Sequence, residues 1–500
     1  MGNKKVPAYE KTLGKKMKKR TKIVATIGPA SDSQESIEKL IYAGVNVFRL
    51  NFSHGTHAYH SKILARIRAA IKRTGLITGV LQDISGPKVR IGELEKEFFL
   101  KIGDILEFVK EEIIGTQIDD KTYRLTLNQK QILDKLKVGE YIYLYDGLIR
   151  SKVIEVAPDK VRVVVQNDGI LSSKKGINFP NTKLGLDILT KKDKEDMLWG
   201  IKNEVDFMAI SFVQNADDMK NARSIVEKEG ANIELFAKIE KFDAVENIDE
   251  ILEVSDGIMV ARGDLGIEIP YYDVPNVQKM LIKKANNLSK PVITATQMLL
   301  SMTRNDRATR AEISDIANAV LDGSDAVMLS EESAIGHNPP LAVQTMCNTI
   351  QATEKNFPYY KLSQFDMHDT ADSINDSAVR LSQSLQTDAI LTITSSGNTA
   401  KKMARYRPSQ TIYAVTHSEK TAKILTMVWG VIPAFSVSGS NPGTIMSELI
   451  TQGLERGVLD IEKRYILTVG DPLGVVGSTN MIRIISKYEM NFFKELKNAN

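Results

Sequence analysis

The segment from Glu234 to Met298 decides the fold. It holds ELFAKIE (234–240), GIMVARGD (257–264) and PVITATQM (291–298), three apolar runs that close on charged or hydroxylated residues. Apolar runs of this kind read as parallel strands buried on both faces. Functional groups gathered at strand C-terminal ends mark the mouth of a (β/α)8 barrel. Lys238 and Glu240 close the first run, Asp264 the second, and Thr296 lies near the end of the third. One ammonium, two carboxylates and a hydroxyl at such a mouth point to Mg2+ chemistry on an anionic substrate.

Outward from this segment, strand–helix alternation begins at Thr21 and breaks once. Strands are expected at 21–28, 46–51, 78–84, 207–213, 234–240, 257–264, 291–298 and 326–331, the eight that a closed barrel needs. Between about Ile91 and Phe179 the pattern becomes short alternating segments (DILEFVK, YRLTLN, EYIYLYDG, LIRSKVIEV, KVRVVVQ), which predicts a small inserted β-domain. Near Ser373 a second α/β alternation starts and predicts a doubly wound domain. The expected fold is α/β: a TIM barrel over 21–88 and 180–350, a β-insert over 89–179 and a C-terminal α/β domain over 351–500. Residues 1–20 carry a basic cluster (Lys15, Lys16, Lys18, Lys19, Arg20, with Lys22 beyond) and are expected to form a solvated arm.

Net charge is +4, too small to argue for a nucleic-acid partner. No apolar run reaches membrane length, and the N-terminal basic cluster has no apolar h-region or cleavage site beside it. The one cysteine, Cys347, allows no intrachain disulfide. These features together lead us to expect a cytoplasmic enzyme without a membrane partner.

Lys238 and Glu240 sit two apart on one strand, so they face the same way. Glu240 and Asp264 suit Mg2+, which takes one or two carboxylates plus substrate and water oxygens. Lys238 then faces an oxygen whose charge changes during reaction. Arg49, Asn51 and Ser53 alternate along the second strand, followed by His54; Asp83 ends the third, with Lys88 and Arg90 just beyond. Two arginines near one mouth suggest a phosphorylated substrate. Gly263 allows close backbone approach, although RGD as a bare tripeptide carries no meaning. The spacing of His54, His57 and His60 invites a metal, but no HExxH motif accompanies it, and ligand contact by His54 is the stronger reading. No GxGxxG or GxxxxGK[ST] motif occurs. TSSGNTA (394–400) and GDPLGVVGSTN (470–480) are loops that could hold a phosphate at a helix start or serve as ordinary capped turns.

TKIVATIGPAS, FRLNFSHG, DISGPKVR, KKGINFP, AISFV, AKIE, MVARGDLG, ATQML and TRAEISDIANAVLDGSD together make the chain resemble the pyruvate kinase family from about Thr21 to the C-terminus. That resemblance implies a barrel, an inserted β-barrel lid and a regulatory C-terminal domain. It also implies phosphoryl transfer from phosphoenolpyruvate to ADP, giving pyruvate and ATP. It makes Glu240 and Asp264 the ligands of Mg2+ (or Mn2+). Lys238, Arg49 and Thr296 become the catalytic groups, and Gly263, Asp264, Thr296 and Ser211 the substrate contacts. Asn51, His54, Arg90 and Lys175 become nucleotide contacts. A homotetramer is implied as well, with a sugar-phosphate or nucleotide effector at a loop such as Thr394, Ser395, Ser396, Gly397, Asn398 and Thr399.

Three departures from the family pattern stand out. Family members that bind K+ use residues matching Asn51, Ser53, Asp83 and the carbonyl of Ile84, and carry Glu where this chain has Lys88. Ile84 and Ile91 stand where Thr is common. A fixed ammonium at Lys88 is therefore expected to replace K+. NDRATRAE (305–312) lacks two prolines usual in relatives, and SEESAIG (330–336) replaces SGETA. Two competing readings are another phosphoenolpyruvate- or pyruvate-handling barrel, and a non-catalytic metabolite sensor. The insert and the TATQM–TRAEISD run argue against the first, and the complete set Lys238, Glu240, Asp264 and Thr296 against the second.

Overall fold

The structure is a computed structural model and describes residues 19–145, 147–180, 182, 185, 187–361, 365, 369–438, 441–471 and 478–499. Its eight parallel strands are β1 (Lys22–Thr26), β2 (Val47–Asn51), β3 (Gly79–Asp83), β4 (Phe207–Ile210), β5 (Glu234–Ile239), β6 (Gly257–Ala261), β7 (Val292–Ala295) and β8 (Ala326–Leu329). They close into one barrel in sequence order. Each is buried almost throughout, as the unbroken apolar runs require.

Side chains of one strand alternate between the barrel interior and the helix layer. Val24, Val47, Leu81, Phe207, Phe236, Met259, Ile293 and Ala326 share one apolar cluster inside the lower barrel. Two residues further along the same strands come Thr26, Arg49, Asp83 and Lys238, which therefore also point inward, one layer nearer the mouth. The polar site thus sits directly on an apolar plug. Ile424 and Met427, from the C-terminal region, complete that plug from below.

All eight strands are shorter than expected, and at two of them the shortening moves site residues off the sheet. The run GIMVARGD stops being a strand at Ala261, and Arg262–Glu268 turns into a short helix. PVITATQM leaves the sheet after Ala295. Gly263, Asp264 and Thr296 are consequently on the loops and first turn above the barrel rather than on strand ends.

Among the described residues the insert forms a seven-stranded sheet and a separate two-stranded ribbon, not one closed barrel. All five expected segments are strands, and Val89 to Phe179 supply a core of their own. Both connections of the insert are held by one residue. Asp193, fully buried, accepts Gly86 N–H at 3.0 Å and Thr190 N–H at 3.0 Å.

The C-terminal sheet has five strands. Four are parallel, and the edge strand Thr479–Ile485 pairs antiparallel with Tyr465–Gly470. That edge strand takes up the end of the expected loop 470–480, of which 472–477 lie outside the described residues.

The expected solvated arm needs correction at its end. Lys15, Lys16 and Lys18 lie outside the described residues, but Lys19 and Lys22 are buried between the barrel and the C-terminal domain. Lys19 donates to Asn46 Oδ1, and Lys22 Nζ donates to the Val431 carbonyl at 2.5 Å. Glu354 accepts the N–H groups of Arg20 and Thr21. This segment straps β1 to two neighbouring layers, which a sequence reading of clustered charge does not reveal.

Burial, then repulsion from Lys19, pulls the Lys22 ammonium from 10.5 down to about 7, against Glu354 and Asp325. A lysine with a depressed folded pKa binds more protons unfolded, so stability rises with pH between about 7 and 10.5. Lys22→Met is expected to be more stable than the parent at pH 7, on the order of a few kcal/mol. The difference should shrink toward pH 10 in thermal or denaturant unfolding. An unchanged difference across that range would refute the buried-cation account.

Candidate active site

The floor of the mouth is an array of four buried charges. Arg49 Nε meets Asp83 Oδ2 at 2.7 Å, and Lys238 Nζ lies 3.3 Å from Asp83 Oδ1 and 2.6 Å from Glu240 Oε1. Arg49 also donates to Thr26 Oγ1 at 2.9 Å. Ser211 takes a hydrogen bond from Lys238 at 2.8 Å and donates to the Ile84 carbonyl at 2.7 Å. Glu240 Oε2 accepts Phe212 N–H at 3.1 Å. Burial alone would raise Asp83, but Lys238 and Arg49 hold it below the usual carboxylate range. Burial alone would lower Lys238, yet Asp83, Glu240 and Asp264 push it well above 10.5. Glu240 is pushed upward by burial and by Asp264, with Lys238 opposing.

On the far side of the mouth, Gly263 N–H donates to Thr296 Oγ1 at 2.8 Å, and that hydroxyl donates to the Ala295 carbonyl at 2.6 Å. Asp264 makes no hydrogen bond or ion pair among the described residues and lines a cavity of about 480 Å³. That cavity lies between the insert and the barrel. Lys88, Arg90, Tyr145 and Lys175 face it from one side, and Phe212, Lys241 and Glu268 from the other. Lys241 and Glu268 pair at 2.6 Å. Lys175 Nζ sits 4.1 Å from the Tyr145 ring centroid. Among the described residues Lys88, Arg90 and Lys175 form no ion pair, and they share the cavity wall with the carboxylates of Asp264 and Glu268.

Asn51 lies beside Asp83 in the sheet, and its Oδ1 accepts Ser53 N–H at 3.1 Å. Lys88 is exposed, on a tight turn closed by Lys88 N–H to Gly86 O at 2.9 Å. His54 is lowered by partial burial first, then by Lys88, Arg49 and Arg90. The other two histidines of the cluster have separate partners. His57 Nε2 meets Asp196 Oδ1 at 2.7 Å, and His60 stacks on Phe52 and bonds the His54 carbonyl. Among the described residues no three His, Cys, Asp or Glu side chains gather to cage a metal.

The geometry can be set beside known proteins. The family model described as pyruvate kinase, barrel domain, matches residues 18–343, and that described as pyruvate kinase, alpha/beta domain, matches 372–485. The chain belongs to the pyruvate kinase family. It is a phosphotransferase. A pyruvate kinase from Staphylococcus epidermidis is 44% identical over 93% of this chain and 80% of its own length. One from Staphylococcus aureus (strain MRSA252) is equally similar. The crystal structure of a pyruvate kinase from Cryptosporidium parvum superposes with a TM-score of 0.88 at 34% identity, covering 96% of this chain and all of that one.

The family resemblance also marked the loop Thr394–Thr399 in the C-terminal domain. There Gly397 takes φ 89° and its N–H bonds Thr394 Oγ1 at 2.9 Å, while Thr399 and Thr479 share a hydroxyl contact at 2.7 Å. Ser395 and Ser396 are half-buried, and Asn398 is exposed.

Sequence reasoning passed over Thr26, Arg262, Lys241, Glu268 and Tyr145. Thr26 carried a usable signal, a hydroxyl closing an apolar strand like Thr296. Arg262 carried another, a charge directly after a buried strand. The pairing of Lys241 with Glu268 needs the turn between β6 and the next helix and is invisible in one dimension.

The His54 imidazole should titrate below 6.5, and Lys88→Met should move its midpoint upward. Two-dimensional NMR of the ring protons across pH 5 to 8 reads both; no movement on substitution would separate Lys88 from His54.

Proposed function

We propose that this pyruvate kinase family member moves the phosphoryl group of phosphoenolpyruvate to ADP, giving pyruvate and ATP. The observation that carries this reading is the charge layout. The charges of the floor pair with one another, whereas Lys88, Arg90 and Lys175 face the cavity without an ion-pair partner among the described residues, opposite the Asp264 carboxylate. That arrangement suits two phosphorylated substrates meeting over a fixed ammonium. Phosphoryl transfer asks a protein mainly for positioning and charge neutralisation.

In this reading Arg49 and Lys238 face the transferring phosphoryl group, and Lys238 also faces the enolate oxygen left behind. The neighbouring Asp83 and Glu240 carboxylates favour its charged form, which suits it to stabilising negative charge. The short helix beginning at Arg262 leaves the Asp264 N–H without an intrahelical carbonyl, suited to a carboxylate. Thr296 adds a hydroxyl beside it, on the side where the enolate gains a proton, and Ser211 orients Lys238. Asn51, His54, Arg90 and Lys175 serve the nucleotide, and the insert excludes water that would compete with ADP.

Glu240 and Asp264 would hold Mg2+ (or Mn2+). Each Glu240 oxygen carries one partner and keeps a lone pair, and Asp264 is unengaged among the described residues. Two carboxylates with room for water and substrate oxygens suit this ion. When bound it supplies charge neutralisation between the anionic substrates.

The reading extends to K+ independence. Lys88 makes no ion pair among the described residues, and its charge reaches His54, next to Asn51 and Ser53. It also extends to a homotetramer in the cytoplasm. The edge strand Thr479–Ile485 exposes Met481 and Ile484, Tyr488 and Phe492 are exposed nearby, and Tyr271 and Tyr272 form a second exposed apolar pair. A sugar phosphate or nucleotide at Ser395, Ser396 and Asn398 is the proposed effector contact. Thr394, Gly397 and Thr399 then act through their internal hydrogen bonds.

The test is pyruvate formation from phosphoenolpyruvate, ADP and Mg2+ in KCl or tetramethylammonium chloride at equal ionic strength. Equal rates are expected. Lys88→Glu should make the rate depend on K+, and activity of the parent only in K+ would end the Lys88 argument. Lys238→Met should lower kcat by about 1,000-fold in either salt. A folded parent protein without turnover would sink the reaction itself.

A further inference from the structure

Thr296 and Gln297 leave β7 with φ of 74° and 56°. Two consecutive residues with side chains in the left-handed region, one of them β-branched, are strained. Such a pair persists only where its surroundings hold it. The residue that holds it is Arg262. Its Nε donates to the Ala295 carbonyl at 3.1 Å and its Nη2 to the Thr296 carbonyl at 2.6 Å. Its Nη1 meets Asp315 Oδ1 at 2.7 Å and Gln278 Oε1 at 3.5 Å. Gln278 is itself fixed, donating to Asp322 at 2.9 Å.

The reverse link is the hydrogen bond from Gly263 N–H to Thr296 Oγ1. The start of the 262–268 helix and the exit of β7 are therefore cross-linked twice, side chain to backbone in each direction. The Arg262 side chain is only 13% exposed, so these bonds are largely shielded from competing water. A planar guanidinium spans two successive carbonyls and a carboxylate at once, which a single ammonium does not.

We propose that Arg262 is a positioning residue for the transfer reaction: it locks the left-handed pair Thr296–Gln297 and so aims the Thr296 hydroxyl and the Gly263–Asp264 backbone at the substrate carboxylate. Arg262 touches no substrate itself. The inference rests on the reaction proposed above, and the test separates the two.

Steady-state kinetics of Arg262→Met and Arg262→Lys are compared with the parent, with thermal unfolding as the check on fold. The expected result is a fall in kcat of roughly 10- to 100-fold and a raised KM for phosphoenolpyruvate, since small misplacements of a reacting group cost this much. The KM for ADP stays within about twofold because the nucleotide contacts are elsewhere. Millimolar guanidinium restores part of the Arg262→Met rate, which a merely structural role would not allow. Asp315→Asn, which removes only the outer anchor, shows the same pattern more weakly and serves if Arg262→Met does not fold.

Unchanged constants, or an equal loss toward both substrates without guanidinium rescue, overturn the inference while the parent remains active. A folded parent with no turnover overturns the reaction reading, and this inference with it.

Discussion

Two basic and two acidic side chains share the dry floor of this barrel, and the site depends on their mutual neutralisation. Stripping water from Arg49, Asp83, Lys238 and Glu240 costs several kcal/mol per ion, which only close pairing offsets. The offset requires β2, β3 and β5 to bring residues two places beyond Val47, Leu81 and Phe236 into one inward layer. A register error on any of the three strands would leave a bare charge above an apolar plug. The same balance has a functional side. A floor with no spare charge exerts little pull on an anion in solution, and under the proposed reaction that pull falls to Lys88, Arg90 and Lys175 at the cavity wall.

The barrel, the insert and the C-terminal domain were legible because each imposes its own period. Buried parallel strands show as unbroken apolar runs, and the insert shows as alternation of two. The position of Lys238 and Glu240 at the barrel mouth was legible because an apolar run that closes on charge marks a strand end there. What one dimension hid has a common physical cause. Gly263, Asp264 and Thr296 read as strand ends, yet helix formation at Arg262 and the left-handed backbone at Thr296 carry them off the sheet. Lys19 and Lys22 read as solvated charge because burial depends on the third-dimension partners Asn46, Glu354 and Val431. The edge strand Thr479–Ile485 was missed, its first two residues read as the end of a loop, because its polar start and exposed face lack a clean period.

The insert is attached through a narrow structural base. Gly86 on the way out and Thr190 on the way back both bond the single buried carboxylate of Asp193, at the start of the helix Lys191–Lys202. Lys192 of the same turn reaches the Phe52 carbonyl at 3.0 Å, just before His54. One helix start therefore touches the roots of the insert and the loop that carries Ser53 and His54.

The seal at the barrel's lower end has a consequence for how the chain comes into being. Ile424 and Met427 belong to the same buried cluster as Val24 of β1, although nearly the whole chain separates them. Trp429 and Arg407 reinforce this closure through Asp325 at the foot of β8. On the ribosome, all eight barrel strands emerge before the residues that stopper them. The nascent barrel must wait with an open, apolar lower end, a state prone to sticking to other chains. Completion of the catalytic core is thus coupled to synthesis of the C-terminal domain, whatever that domain later binds.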